Sequence, residues 1–210
     1  MGYKPVTILS SNTKTVVPSL NLPRTNCNPT KLCWQRCYGK QGHMSLPCSL
    51  RKQTWVSNYL LGTDISRLIK ECKAYSSVRL CGGGDFLEEH VPNVLRLAEE
   101  CPDTLLWGFS RKPNIVLGLN NKLPNLYMQL TVDYTTPLSI WSDIDCDIAY
   151  GPRMQWDDVP EDERIRVVFP YHFSGKVVKG VPHHPKDCQA VWDHSLHCVD
   201  CRRCYPEANR

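Results

Sequence analysis

Short apolar runs alternate with stretches of helical periodicity along most of the chain. Ser77-Val78-Arg79-Leu80-Cys81 reads as a strand that runs straight into Gly82-Gly83-Gly84-Asp85-Phe86, and a helix is predicted to follow at 88–101. A strand at 104–109, a helical stretch at 113–119 and a strand at 125–132 come next. An irregular or briefly helical link then leads to strands at 147–150 and 165–169. Upstream, residues 5–9 predict a lead-in strand followed by a loop, and 49–61 and 64–75 predict helices, the second capped by Thr63 or Asp64. A βαβα rhythm of this kind favours a parallel sheet with covering helices, open or curled toward a barrel. In either case ligands gather at the carboxyl ends of the strands.

The alternation stops after Phe173, and a tail rich in Pro, His, Lys and Cys takes over. We place a boundary near Gly175, with a core at 1–175 and a cysteine-rich extension at 176–210. The extension is too short for its own hydrophobic core, so a metal is its expected organiser. The chain has 210 residues, 41% of them hydrophobic, which suits one domain with a small appendage.

No apolar run approaches the roughly 20 residues that span a bilayer, and no amino-terminal apolar segment marks the chain for secretion. A reducing cytoplasm is the expected compartment, with the twelve cysteines as thiols or metal ligands rather than disulfides. The net charge of +4 permits an anionic partner without requiring one. Basic residues cluster at Arg202-Arg203 and at Lys176, Lys179, His183, His184 and Lys186, where a solvated face is the simplest account.

The cysteines fall into three sets. Cys27, Cys33 and Cys37 lie in one short stretch, and three thiolates on a cubane iron-sulfur cluster leave one iron open to a reactant. A zinc ion completed by His43 or Cys48 fits the same spacing. In the tail, Cys188, Cys198, Cys201 and Cys204 form C-x9-C-x2-C-x2-C, a full ligand set for either a structural zinc or a second cluster. Cys48, Cys72, Cys81, Cys101 and Cys146 are scattered through apolar settings and are expected in the core.

Polar groups collect at predicted strand ends. Gly82, Gly83 and Gly84 allow close approach of a bound molecule to the backbone, and Asp85 beside them is an acceptor for a ligand's ammonium. Ser110 and Arg111 follow the next strand, and Gln129, Thr131 and Asp133 share one face of the strand after it, an arrangement suited to a nucleoside or to a solvated edge. Tyr171-His172-Phe173 ends the last strand as packing.

An open three-cysteine loop, a glycine-rich acidic strand end and a βα series of this length resemble the radical S-adenosylmethionine superfamily. More narrowly, Asn12-Thr13-Lys14, Leu22-Pro23, Cys37-Tyr38, Gly84-Asp85-Phe86, Ser110-Arg111 and the C-x2-C-x2-C tail are similar to the phage protein family called gene product eighty-eight. The resemblance implies a partial (β/α)6 TIM-like barrel of the radical SAM type with a small cysteine-rich cluster extension. It implies a 4Fe-4S cluster on Cys27, Cys33 and Cys37 that reductively cleaves S-adenosylmethionine to methionine and a 5′-deoxyadenosyl radical, which then abstracts hydrogen from a substrate.

Tyr38, Gly82, Gly83, Gly84, Asp85, Ser110, Arg111, Gln129, Thr131 and Asp133 are the residues this resemblance assigns to cofactor binding. The tail would hold a second 4Fe-4S cluster, with zinc as the alternative. An electron donor such as flavodoxin or ferredoxin is implied, as is residence in the host cytoplasm. The substrate class it suggests is a hypermodified pyrimidine in phage DNA or a nucleotide, with rearrangement or tailoring as the reaction. This chain departs from the common superfamily spacing, having C-x5-C-x3-C in place of C-x3-C-x2-C. Arg36 stands where an aromatic usually precedes the third cysteine, and Tyr38 is the nearest replacement. The rival reading is a non-enzymatic zinc or iron-sulfur protein that binds nucleic acid or a protein partner.

Overall fold

The computed structural model describes residues 3–11, 16–153, 158–170, 172–173, 176–177, 183–193 and 204. Its centre is a sheet of five parallel strands: β1 (Ser77–Leu80), β2 (Leu105–Ser110), β3 (Leu126–Val132), β4 (Ile148–Arg153) and β5 (Ile165–Pro170), in spatial order β1-β2-β3-β4-β5. Strand β3, Leu-Tyr-Met-Gln-Leu-Thr-Val, shows why these segments extend: branched and aromatic residues suit a pleated surface, and six of its seven residues are buried. Neighbours in sequence are neighbours in space. Because parallel crossovers keep one hand, this order puts the connecting helices on one face of the sheet.

The helices are α1 (Lys31–Arg36), α2 (Pro47–Leu60), α3 (Ser66–Cys72), α4 (Val91–Glu100) and α5 (Pro113–Leu119). Apolar residues of α2 to α5, among them Leu60, Leu68, Leu97 and Leu119, form one core with Leu80, Leu106, Met128 and Ile148 of the sheet. Alternation sends Trp107, Tyr127, Ala149 and Val167 to the opposite face. There they meet Val17, Cys188 and Cys204 instead of a helix. The architecture is therefore α/β, as expected, with a sheet that stays open.

Several expectations need correction. Residues 5–9 do not form a strand, because their backbone is claimed by side chains: the Glu71 carboxylate accepts from Ile8 N at 2.8 Å and Leu9 N at 3.0 Å, and Arg67 donates to the carbonyls of Pro5 and Val6. The edge of β1 is covered a little later, where Ser19 bridges Arg79 and backbone bonds join Pro18 and Leu20 to Arg79. A single bridge is not a sixth strand, and among the described residues the main sheet has five. The cysteine loop contains a helix, α1. The helix expected at 64–75 is shorter, with Asp64 Oδ1 accepting from Ser66 N at 2.9 Å ahead of α3. The helix expected at 88–101 opens with a 3-10 turn at Glu88–His90. Cys48 is exposed at the start of α2, whereas Cys72, Cys81, Cys101 and Cys146 are buried as expected.

Beyond β5, a short antiparallel pair joins β6 (His172–Phe173) to β7 (Lys176–Val177), and helix α6 (Gln189–Trp192) follows. The tail returns to the sheet at Val168, whose N–H donates to Lys186 O at 2.8 Å and whose carbonyl accepts from Cys188 N at 2.7 Å. No described helix is long and apolar enough to cross a membrane.

Gly84 has φ +73°, and a Cβ there would stand 2.1 Å from the Leu22 carbonyl oxygen. Neither the backbone conformation nor the neighbouring main chain can yield cheaply. Gly84→Ala is expected to lower unfolding free energy by at least ~2 kcal/mol, measured by urea titration.

Candidate functional site

Four strand-end segments meet the cysteine segment at the carboxyl edge of the sheet, and each cysteine is anchored separately. Thr30 caps α1: its hydroxyl accepts from Cys33 N at 3.1 Å and donates to Asp133 Oδ2, just past β3, at 2.6 Å. Cys27 follows Asn26, whose amide donates to Ser57 Oγ on α2 at 3.0 Å. Ser57 is held in turn by His90: Leu87 N donates to His90 Nδ1, which leaves Nε2 to donate to the Ser57 carbonyl at 3.0 Å. Cys37 precedes Tyr38, whose half-exposed side chain donates its hydroxyl to Gly82 O at 2.6 Å.

These anchors bring the three thiols within electrostatic reach of one another. Burial pushes the Cys27 thiol up to about 12, with Asp85, Cys33 and Cys37 adding to the rise and Lys112 opposing it. Burial also raises Cys33, while the Arg111 charge and its N–H groups pull it back. Burial of this kind makes Cys27 and Cys33 resist deprotonation unless a cationic centre lies beside them. Among the described residues no three His, Cys, Asp or Glu side chains are grouped as a site for a single metal ion.

Asp133 and Arg111 form the core of the arrangement. Arg111 Nη1 lies 2.9 Å from Asp133 Oδ2 as an ion pair without hydrogen-bond alignment, with Asp133 wholly buried and Arg111 only 11% exposed. Arg111 Nη2 also donates to the Gly151 carbonyl at 2.8 Å. The other Asp133 oxygen accepts from the backbone and hydroxyl of Thr135.

Asp85 is occupied in the same way. Its carboxylate accepts from Phe86 N, Ser110 Oγ and Arg111 N at 2.8, 2.8 and 3.1 Å. Burial nevertheless raises its pKa, against the lowering effect of those donors. Ser110 Oγ also accepts from Lys112 N, and Lys112 Nζ donates to Phe86 O.

Close approach at the glycine run is made by the chain itself. A Cβ on Gly82 would lie 2.6 Å from Asn21 Oδ1, and one on Gly83 would lie 2.0 Å from Met44 Cε. These glycines admit the chain's own amino-terminal segment and Met44. Asp85, Ser110, Arg111 and Asp133 tie the strand ends together, while Gln129 and Thr131 face the side without helices. Gln129 is wholly buried and its Nε2 donates to the Cys204 carbonyl at 2.9 Å; Thr131 is partly exposed.

Of the tail ligands, Cys188 and Cys204 are brought into one cluster with Ala149, Val167, Phe109 and Phe169. Cys198 and Cys201 lie outside the described residues. So do Asn12-Thr13-Lys14, Tyr171, Lys179 and Arg202-Arg203. No disulfide joins any of the ten described cysteines.

Sequence reading missed Thr30, Asn26, Ser57, His90 and Lys112. Thr30 had a local signal, a threonine three residues before Cys33 at a helix start. The others act across 26 to 33 residues of chain and had none.

Together these features define a parallel α/β protein whose three-cysteine segment is tied to the carboxyl ends of its strands. The family model for Gene product 88 matches residues 5–207, and the chain belongs to that phage family. No curated protein and no solved structure matches it.

Thr30→Val removes one cap and one buried tie, and is expected to cost about 1–2 kcal/mol while accelerating maleimide labelling of Cys33. Asp133→Ala strands the Arg111 cation and is expected to cost about 3–5 kcal/mol by urea unfolding at neutral pH.

His90 carries a pH signature. Burial lowers its pKa below the ordinary 6.5, so the neutral ring belongs to the folded state. Its contribution is complete above the unfolded value and is lost as pH falls from there through the lowered folded value. The urea midpoint of the wild type should therefore drop more between about pH 7 and about pH 5 than that of His90→Gln.

Proposed function

We propose that the chain is a radical S-adenosylmethionine enzyme acting on a nucleotide or a hypermodified pyrimidine of phage DNA. One observation carries the reading: Cys27, Cys33 and Cys37 lie within electrostatic reach of one another on a segment tied to the carboxyl edge of a singly wound parallel sheet. The donor set fits a cluster held by three thiolates: Arg111 and Lys112 offset part of the burial that raises Cys33 and Cys27, and a cationic cluster would supply the rest. When bound, a 4Fe-4S cluster of this kind supplies the electron that opens a carbon-sulfur bond of S-adenosylmethionine, giving methionine and a 5′-deoxyadenosyl radical.

The residues divide the remaining work. Cys27, Cys33 and Cys37 bind. Thr30, Asp133 and Arg111 orient Cys33, and Tyr38 docks the end of the cysteine segment on Gly82. Asp85 and Ser110 hold the turn after β2 against the turn after β1. Thr131 and the rest of the helix-free face line the place for substrate, where exclusion of water and of stray hydrogen donors protects a reactive carbon.

A sheet with helices α2 to α5 on one side is half of what a (β/α) barrel requires, and we read it as a partial barrel whose other face is the lumen. Cys188, Cys198, Cys201 and Cys204 would hold an auxiliary cluster or a zinc. An external one-electron donor such as flavodoxin or ferredoxin, and the host cytoplasm as the setting, belong to the same reading.

Anaerobic reconstitution is expected to load about four irons on the triad and about eight if the tail also takes a cluster. With a chemical reductant and S-adenosylmethionine, the reconstituted chain should release 5′-deoxyadenosine. Cys27→Ala, Cys33→Ala or Cys37→Ala should abolish this product, whereas Cys204→Ala should retain the triad's iron. A chain that takes only zinc, or an iron-loaded chain that forms no 5′-deoxyadenosine, would defeat the proposal.

A further inference from the structure

We propose that Arg79 anchors an oxyanion-binding site on the sheet face that the described helices leave uncovered, taking a phosphate or carboxylate group of a small ligand. Arg79 is the third residue of β1 and stands level with Trp107 of β2, which stands level with Tyr127 of β3. Its guanidinium carbon lies 5.7 Å from the Trp107 ring centroid and 5.5 Å from that of Phe109. Its Nε is buried and makes no hydrogen bond, and among the described residues no carboxylate pairs with the side chain.

Other arginines of this chain behave differently. Arg67 donates to two backbone carbonyls and meets Glu71, Arg111 joins Gly151 to Asp133, and Arg164 binds Asp162 and three carbonyls. Those residues staple backbone. Arg79 staples none with its side chain, although its own backbone is fully engaged with Pro18 and Leu20.

A second polar atom on the same face is also unsatisfied. Phe109, which touches the Arg79 guanidinium, is level with Gln129, and the wholly buried Gln129 spends its Nε2 on the Cys204 carbonyl while its Oε1 has no donor. A buried N–H without an acceptor is unfavourable, and the faces of two aromatic rings offset only part of that cost. A guanidinium so placed is complete when a ligand brings oxygens, and its planar fork holds phosphate or carboxylate through two parallel bonds. The site adjoins the cysteine segment, since the Arg79 charge reaches the Tyr38 hydroxyl. It does not depend on metal chemistry, so binding can be read on the chain without loaded iron.

The test is calorimetric titration of the full chain, prepared anaerobically, with inorganic phosphate, thymidine 5′-monophosphate, thymidine and methionine. The monophosphate should bind at least ~10-fold more tightly than thymidine if the oxyanion is a nucleotide phosphate. Methionine should bind, in competition with inorganic phosphate, if it is an amino-acid carboxylate. Arg79→Gln should weaken the bound anion at least ~10-fold, and Arg79→Lys should fall between, because an ammonium lacks the fork. Lys122→Gln, an exposed charge change elsewhere, should leave affinity unchanged.

Failure of all three anions to bind the wild type would overturn the proposal without needing any variant. Equal binding by Arg79→Gln, or equal weakening by Lys122→Gln, would overturn it as well. Since none of these readouts involves 5′-deoxyadenosine, they stand apart from the fate of the radical reading.

Discussion

The buried carboxylate of Asp133 is the constraint on which the cysteine cradle depends. A wholly buried carboxylate is tolerable only when its oxygens are filled, and here they are filled by Thr30, Arg111 and Thr135. Each donor comes from a different place: the start of α1, the end of β2 and the turn after β3. Satisfying one charge therefore locks three segments together, and Cys33 is carried on one of them. Asp85 repeats the device between the ends of β1 and β2, with Ser110, Arg111 and Phe86 as its donors. Arg111 serves both carboxylates, through its side chain to Asp133 and its backbone to Asp85.

A singly wound sheet has one face that helices α2 to α5 do not cover. Helices α2 to α5 all pack on one face, so the apolar side chains pointing that way form the main core. Side chains pointing the other way meet Val17, Cys188 and Cys204, together with an Arg79 whose Nε has no acceptor among the described residues and a half-satisfied Gln129. The described tail residues Cys188 and Cys204 thus pack on that face. Gln129 holding the Cys204 carbonyl joins extension to sheet, as do the backbone bonds of Val168 to Lys186 and Cys188.

Much of the architecture was legible because it rests on local periodicity. The five parallel strands lie where short apolar runs predicted them, and the helix predicted at 113–119 forms as α5 (Pro113–Leu119). The lead-in strand at 5–9 was not legible as it stands, because Glu71, 62 and 63 residues away, takes the backbone N–H groups that a sheet would need. Gly82 to Gly84 were readable as a place of close approach. The approaching groups are Asn21, Leu22 and Met44, and nothing in a glycine run says which partner it admits. Asp85 and Asp133 were readable as polar groups at strand ends, but their partners were not.

The chain by itself therefore determined a βα alternation, two cysteine groups and the strand ends at which polar residues collect, because these follow from spacing within a few residues. Tertiary structure decided which carboxylates became struts, that Arg79 Nε was buried without an acceptor among the described residues, and how three cysteines spread over a loop and a helix came within electrostatic reach of one another. Those outcomes depend on filling buried hydrogen-bonding groups across long separations in sequence, a condition that no local pattern expresses.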